Sequence, residues 1–467
     1  MADLLGIGIS GLLAFQRGLA TTSHNISNVN TEGYSRQSVS YGTRMPHPSP
    51  GGWMGTGVNV TSINRIMDET RNNSVRTNQS EFHELKAYAD LGARLDNLVA
   101  DKNAGLAPAM QGLFDAMQQV TTDPTSISAR EIVIAEADNL AARFAFFENR
   151  FSELDQDINR NIEVQIREVN EFAGEIARLN KEIQMLEGRP GGPPNDLLDK
   201  RDHALSELSK RVGVSSVIQS DGTMNVFIGS GQALVVGHSA FELTTVEPAV
   251  HNPDDPSRVE IGIVRGNGDP INITRHLTGG SISGLLDFRE NILDPEREEL
   301  RRLAETIHDT FNEAHSQGYD LDGNPGGDFF AMEGGRLVVA LDDARQLAAA
   351  GSLDPNGDPQ VGDNENMLAM IELANERHDE LGNASYQDFY ASLVGRVGTQ
   401  TMRANMNMDA QQVLLNQAIA AREEVSGVNL EEEAANLMRL QQSYHAAAQS
   451  IAVADTLFQS LLDAVRR

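Results

Sequence analysis

SAREIVIAEADNLAARFAFFENRFSELDQDINRNIEVQIREVNEFAGEIARLNKEIQML, residues 128–186, decides the architecture of this chain. Within it Leu140, Phe144, Phe147, Phe151, Leu154, Ile158, Ile162, Ile166, Val169, Phe172, Ile176, Leu179, Ile183 and Leu186 step by three or four residues without a break. That is the spacing of one face of an α-helix. No Pro interrupts the run, and Gly174 is its only Gly. Ser128 and Glu131, following Asp123-Pro124, predict a capping box at the start. Gly188-Arg189-Pro190-Gly191-Gly192-Pro193-Pro194 predicts the stop. A helix of about 60 residues is roughly 90 Å long, a rod rather than an ordinary globular helix. It has to pack along its length, most simply in an antiparallel bundle with the helical patterns at 67–99 and 386–426.

Working outward, the pattern at 67–99 turns Phe82, Leu85, Ala89, Leu91, Leu95 and Leu98 inward, and a short helix follows with Met110, Leu113, Met117 and Val120 on one face. After a helix at 195–212 the period falls to two. Val214, Val217, Val226, Ile228, Val235, Phe241, Leu243, Val259, Ile261, Ile263 and Ile271 lie between turn signals such as Ser220-Asp221-Gly222 and Gly266-Asn267-Gly268, which predicts an inserted β region. Helix returns at Asp294-Pro295, read as N-cap and first helical residue, with Leu300, Leu303, Ile307, Phe311 and Ala314 buried. Residues 318–365 are turn-rich, and helical patterns resume at 366–377 and 386–426.

The two ends match each other. Leu5, Leu12, Leu19 and Ile26 recur every seven residues in a helical pattern at 4–27. Leu430, Leu437, Tyr444, Ile451, Phe458 and Val465 do the same near the finish, and Leu440, Ala447, Ala454 and Leu461 fill a second seam row. Narrow heptad stripes suit helices that pack on each other or on neighbours. Gly8, Gly11, Ala447, Ala448 and Ala454 permit close approach. Between the first helix and the rod, residues 28–64 read as loop or short strands, Val58-Asn59-Val60 among them. The expected fold class is therefore multidomain α+β. Its parts are a terminal coiled-coil region (1–65 with 428–467), a long antiparallel helical rod domain (66–212 with 280–427) and a β-rich insertion (213–279), with 330–365 irregular.

Charge placement agrees. Of the net −30, residues 1–66 hold four Arg against Asp3 and Glu32, and residues 428–467 hold three Arg against five acids, so the middle carries the whole excess. A strongly acidic exterior excludes nucleic acid as a partner. No apolar run approaches the roughly 18 residues of a span, and the polar faces of the end helices lack the Lys and Arg of a surface-bound helix, so no membrane insertion is expected. The start has no basic region or cleavage site of a secretory signal. With no Cys, disulfides, thiol catalysis and Cys-based zinc sites are excluded.

Catalytic and metal signals are weak. Asp320-Leu321-Asp322-Gly323-Asn324 begins like a calcium loop, but Pro325 and Ala331 stand where Gly and Glu are needed, so an Asx turn is expected. His308 and His315 share a helix face two turns apart, too far for one ion. Gly6-Ile7-Gly8-Ile9-Ser10-Gly11 follows no strand and lacks the Lys of a phosphate loop. No cofactor, metal or catalytic residue is expected.

The segment Ser23-His24-Asn25-Ile26-Ser27-Asn28-Val29-Asn30-Thr31-Glu32-Gly33-Tyr34-Ser35-Arg36-Gln37 resembles the N-terminal signature of the bacterial flagellar axial proteins, the family of rod, hook and hook–filament junction subunits. The family usually has Ala at Ser27 and Pro at Glu32; Asn25, Asn28, Asn30, Gly33 and Tyr34 stay in register. Val425-Ser426-Gly427-Val428-Asn429-Leu430-Glu431-Glu432-Glu433-Ala434-Ala435-Asn436-Leu437, Asn195-Asp196-Leu197-Leu198-Asp199-Lys200-Arg201-Asp202 and Gly318-Tyr319-Asp320-Leu321-Asp322-Gly323 are similar to the hook–filament junction branch. The resemblance implies a non-enzymatic, extracellular structural subunit whose terminal helices pair as the inner layer of a tube. It would be exported without a cleavable signal peptide. The implied partners are further copies of itself in a tubular ring, the hook protein, a second hook–filament junction protein, and a flagellar export chaperone at the C-terminal region. In that role Leu5, Leu12, Leu19 and Ile26 would meet the C-terminal seam only on assembly, with both ends mostly disordered in the free chain. The alternatives are a hook or rod subunit of the same family, or an exported enzyme carried on axial-type ends.

Overall fold

The computed structural model has a multidomain α+β fold and describes residues 2–49, 52–101, 105–187, 192–248, 258–266, 268–354, 360 and 362–465. Helix α1 (Ala2–Ser27) leads into a long hairpin of β1 (Gln37–Thr43), β2 (His47–Ser49), β3 (Gly52–Met54) and β4 (Val58–Arg65). β1 pairs with β4 and β2 with β3, both antiparallel. Then come α2 (Glu69–Val99), α3 (Leu106–Thr122), α4 (Ile127–Leu186) and α5 (Asn195–Arg211). Seven strands follow: β5 (Val214–Ile218), β6 (Met224–Ile228), β7 (Gln232–Val236), β8 (Ser239–Ala240), β9 (Glu242–Val246), β10 (Glu260–Val264) and β11 (Ile271–Asn272). They form a four-stranded meander β5-β6-β7-β8 and a three-stranded sheet β11-β10-β9. The chain closes with α6 (Gly280–Phe288), α7 (Asp294–Ser316), the hairpin β12 (Phe330–Glu333) and β13 (Arg336–Val339), α8 (Glu365–Glu372), α9 (Tyr386–Ser426) and α10 (Leu430–Val465).

The rod helix is α4, 60 residues long. Its cap differs from expectation. Ser126 Oγ accepts from the Ala129 N–H at 3.3 Å, so the Asp123-Pro124 turn closes two residues early and Ser128 falls inside the first turn. The helix ends at Leu186, just before the expected terminator at 188–194, of which residues 188–191 lie outside the described residues. The expected partners of α4 also differ. α2 and α9 pair antiparallel with each other, with Tyr390 Oη donating to Val99 O at one end and Gln411 to Asn78 O further along. α4 meets this pair at points, as where Phe147 packs edge-on to Tyr390. Along the rest of its length α3, α5 and the small sheets cover it. The sheets supply enough apolar surface to replace a third long helix, which periodicity alone could not reveal.

Two Asn on α4 dock the β insertion by imitating a strand edge. Asn170 donates to Leu243 O at 2.9 Å and accepts from Leu243 N at 2.8 Å. Asn180 donates to Met224 O at 2.8 Å and accepts from Met224 N at 3.0 Å. Buried Arg201 also donates to Asn180 Oδ1 (3.1 Å) and Gly222 O (2.7 Å). A side-chain amide carries the same donor and acceptor as a peptide unit, so each Asn satisfies an otherwise open ladder position. The insertion leaves and rejoins the rod through a narrow neck, where Gly213 N donates to Thr278 O at 2.8 Å. A Cβ on Gly213 would lie 2.3 Å from that oxygen, so the crossing requires Gly.

Asp294 is not an N-cap. The helical path runs unbroken from α6 through a π turn at Arg289–Leu293 into α7. Pro295 has no N–H and its ring opposes the carbonyl four residues back, and a widened turn is how a helix absorbs that. Arg289 within the turn is buried and pairs with buried Asp155 of α4 at 2.7 Å.

One apolar cluster runs through the middle of the molecule, from Leu91 to Val397 in sequence, and among the described residues it takes no member from α1 or α10. Those helices lie against each other, antiparallel, with Gly8 beside Ile451, Gly11 beside Ala447 and Gly18 beside Leu440. Contrary to the run-length expectation, Leu4–Ser27 is long and apolar enough by composition to cross a membrane, with mean hydropathy 1.3. Its Leu, Ile, Phe and Ala are separated by Gly and polar residues, with Arg17 the only Lys, Arg, Asp or Glu among them, so the average is apolar although no continuous aliphatic run forms.

Candidate functional site

Three of the sequence blocks that carried the family resemblance, 23–37, 195–202 and 425–437, lie far apart in the chain and meet in space where the terminal pair joins the rod, whereas 318–323 lies elsewhere, bonded to Arg345 and Ala350. Asn25, buried in the last turns of α1, is the organiser. Its Nδ2 donates to Gln37 O at 2.9 Å, and its Oδ1 accepts from Gln37 N at 2.9 Å and from Tyr34 Oη at 2.7 Å. The chain that leaves α1 is thereby folded back along it. Asn28 Nδ2 donates to His24 O at 3.0 Å, closing the helix end, while Asn30 is exposed. Gly33 has φ +78°, and a Cβ there would stand 3.0 Å from the His203 Cβ on α5. Gly is required on both counts. Burial, reinforced by Asp196, Asp199 and Glu433, pushes the Tyr34 phenol well above its ordinary range, so it stays a donor.

The first turns of α5 receive this loop. Asp199 accepts from Ser35 N at 3.1 Å and from Arg65 at 3.0 Å, and Arg65 also reaches Asp202 at 2.6 Å. Gln37 donates to Asp196 at 2.9 Å. Burial works against the Arg65 charge, but Asp202 and Asp199 outweigh it and hold the guanidinium protonated. The C-terminal block closes the third side. Arg36 N donates to Ser426 O at 3.0 Å, and its guanidinium binds Glu433 at 2.7 Å and Glu432 at 2.8 Å. Between the three sides lies a cavity of about 880 Å³ lined by residues such as Thr31, Arg76, His203, Arg422 and Asn429. Glu32, His203 and Glu207 bring ligand atoms within 4.8 Å of one another there. Glu207 spends its carboxylate on Lys210 and on Arg211 (2.9 Å), which leaves too few free ligands for a metal centre.

The heptad residues divide. On α10, Leu440 and Ala454 are buried, and Leu437, Tyr444, Ala447 and Ile451 are half-buried towards α1. Leu430, Phe458 and Leu461 are exposed, and the Val465 side chain lies outside the described residues. On α1, Leu12, Leu19 and Ile26 are half-buried and Leu5 is exposed, while the buried face is Gly8, Ser10, Gly11, Ala14, Gly18, Thr21, Thr22 and Asn25. Sequence reasoning missed Arg36, Arg65, Gly18 and Glu433. It also missed the Asp196-Asp199-Asp202 set, although three Asp at every third position on a helix was a readable sign. Asp320 forms an Asx turn, accepting from the Asp322 and Asn324 N–H groups at 2.8 Å. His315 is fully buried between Gly327 O and Ala348 N.

Paired end helices, an Asn-built turn and an acidic rod define a flagellar axial-type subunit. The ends match family models for that class: "Flagella basal body rod protein" over residues 5–34 and "Flagellar basal body rod FlgEFG protein C-terminal" over 420–464. The helical domain of flagellar hook-associated protein FlgK matches residues 92–330. Flagellar hook-associated protein 1 of Salmonella typhimurium is 30% identical over 99% of this chain and 100% of its own length. The Bacillus subtilis protein of that name is 26% identical over 97% of this chain and 96% of its own. The chain belongs to the flagellar hook-associated protein 1 family. A solved flagellar hook junction protein from Burkholderia pseudomallei shares the fold, with TM-score 0.68 and 21% identity over 76% of this chain and 100% of that one.

Proposed function

We propose that this chain is a non-enzymatic adaptor of the hook–filament junction, and that α1 and α10 together are its assembly device. The observation that carries the reading is the apolar surface the terminal pair leaves bare. Leu4, Leu5, Ile7, Ile9 and Leu13 on α1 and Val453, Leu457, Phe458, Leu461 and Leu462 on α10 are all exposed, and the main core takes no described residue from either helix. Stripes of that size on a single chain mark an interaction surface. Neighbouring copies in a tubular ring would cover them, with the hook protein on one side of the ring and a second junction protein on the other. The same α10 stripe suits an export chaperone before assembly, in a subunit exported without a cleavable signal to the outside of the cell. On this reading the domain division is 1–65 with 428–467 for assembly, 66–212 with 280–427 for the rod, and 213–279 for the outward β insertion.

The test is deletion of residues 428–467, with electron microscopy of the cells. Hooks without filaments, and flagellin shed into the medium, are expected. Full-length filaments on such cells would overturn the assignment.

A further inference from the structure

The hairpin from β1 to β4 grips α1 at points about two helical turns apart. Asn25 holds Gln37 near the end of the helix, and Val58 N donates to Ser10 Oγ at 3.2 Å towards its start. Between them Tyr41 of β1 reaches the middle. A Cβ on Gly18 would stand 2.5 Å from Tyr41 Oη and 3.0 Å from Leu440 Cδ2, so both side chains use the space that Gly18 leaves. Leu440 is the first buried apolar side chain of α10, and Arg439 next to it is close enough to pull against the burial that raises the Tyr41 phenol. The hairpin is built to aim this ring. Pairing steps from Ser40–Ser62 to Tyr41–Val60, which leaves Thr61 as the extra residue of a bulge. Thr61 Oγ1 donates to Ser40 O at 3.0 Å, and Gly42 makes room for the Thr61 methyl, which a Cβ there would approach to 2.9 Å. A bulge re-aims the side chains beside it.

The terminal pair needs such a stop. Its seams repeat every seven residues on both helices, and Gly8, Gly11 and Ala447 make the contact face smooth. A heptad pair slipped by one repeat still sets apolar against apolar, so the repeat by itself does not choose a register. In one such slip Gly11 stands beside Ala454 instead of Ala447. We propose that Tyr41 is the register key of the terminal pair: seated over Gly18 and beside Leu440, it fixes where α10 stops along α1. It is a positioning residue that lies on neither helix. The inference deepens, and rests on, the reading of α1 and α10 as the assembly device, because neighbours in a ring can match only pairs of one register.

The chain has no Cys, and a Cβ on Gly11 would lie 3.7 Å from the Ala447 Cβ, inside the range of about 3.5–4.5 Å that a disulfide needs. Gly11→Cys with Ala447→Cys therefore reports the native register, and Gly11→Cys with Ala454→Cys reports a slip of one heptad. Both pairs would be mildly oxidised in the full chain and in isolated flagella, and the links read by mass spectrometry of peptides. In the parent chain the Ala447→Cys pair should link and the Ala454→Cys pair should not. Tyr41→Ala should reverse that preference. Gly18→Ala should do the same, and adding Tyr41→Phe to it should restore the native link, because the hydroxyl is the atom in the way. An undiminished Ala447→Cys link in Tyr41→Ala overturns the key. So does a fall there with no rise at Ala454→Cys, since that pair separates rather than slips. Where Tyr41→Ala yields no chain, Gly18→Ala decides alone, and failure of Tyr41→Phe to restore its link overturns the contact. A parent chain that links neither pair, or both alike, removes the proposal outright. A slipped pair in cells whose filaments grow normally keeps the key and removes the assembly reading.

Discussion

Replacing Gly6 and Gly8 of α1 by Ala, one at a time, separates helix propensity from helix packing. Both positions are helical, so each substitution gains about 1 kcal/mol of intrinsic propensity. At Gly6 the new methyl meets nothing within 4 Å, and the gain stands alone. At Gly8 it lands 2.7 Å from Ile451 Cγ1 and 3.7 Å from the Ala447 carbonyl on α10. Ile451 can turn, but Ala447 backs the same spot, so part of the clash has to be taken by separating the helices. Overpacking of this kind costs about 1–3 kcal/mol. Gly6→Ala should therefore gain about 1 kcal/mol and Gly8→Ala lose about 0–2 kcal/mol net, a spread between the two of about 1–3 kcal/mol, or roughly five- to 150-fold in exchange rate at tenfold per about 1.4 kcal/mol. The assay is hydrogen–deuterium exchange of the α1 peptides in dilute full-length chain, because a global melt reports the core that α1 does not enter. Gly6→Ala should slow exchange and Gly8→Ala should quicken it. Equal slowing in both would show that α1 does not lie on α10 in this register in the free chain. Equally fast exchange in all three chains would place the ordering of the pair on assembly.

Asn25→Ala removes the partner of Gln37 and Tyr34, and each buried group left without a bond costs about 1–3 kcal/mol. Residues 28–37 should lose exchange protection while the rod keeps its own. Asp199→Ala leaves Arg65 with Asp202 alone and Ser35 N open, and a buried group left without its bond costs about 1–3 kcal/mol. The amides of β1 and β4 should exchange faster, and an unchanged pattern would contradict the docking of the loop on α5. Acid should loosen the rod at His315, whose imidazole burial holds below its ordinary 6.5 while it accepts from Ala348 N. Full stability is expected above about pH 6.5 and loss as pH falls below it, because the unfolded chain takes up the proton first. Urea melts of wild type and His315→Gln should converge towards low pH. Glu84 gives the opposite slope. Burial beside Asp287 raises its pKa to about 7, so its contribution is present below its ordinary pKa and lost as pH rises through about 7. Glu84→Gln should stabilise the chain at pH 8 and change little at pH 4.

The parts legible in sequence were those with one dominant period. The rod announced itself because its apolar residues keep the helical step throughout, and the insertion because Val and Ile alternate between Gly-rich turns. Signals that depend on what a residue lacks were harder to read. The face of α1 that touches α10 is made of Gly8, Gly11 and Gly18, which carry no hydropathy, while the conspicuous leucines lie to the side of it. Gln37–Thr43 is a strand built of Ser, Gly and Thr, so its alternation is faint. Asp294-Pro295 has the chemistry of a helix start, and only tertiary context placed it inside one continuous helical path, directly after the π turn at Arg289–Leu293. The joint was legible as blocks of resemblance but not as a joint, because Ser35 and Arg65 reach Asp199 across more than a hundred residues of chain.

The Gly213–Thr278 neck brings the two covalent ends of the β insertion within hydrogen-bond reach of each other. A turn within the insertion can therefore lengthen or shorten without altering the spacing of α5 and α6. The sheet faces have no such freedom, because Asn170, Asn180 and Arg201 hold them to the rod and their Val and Ile side chains share its apolar cluster. Drift in this module is expected to concentrate in its turns.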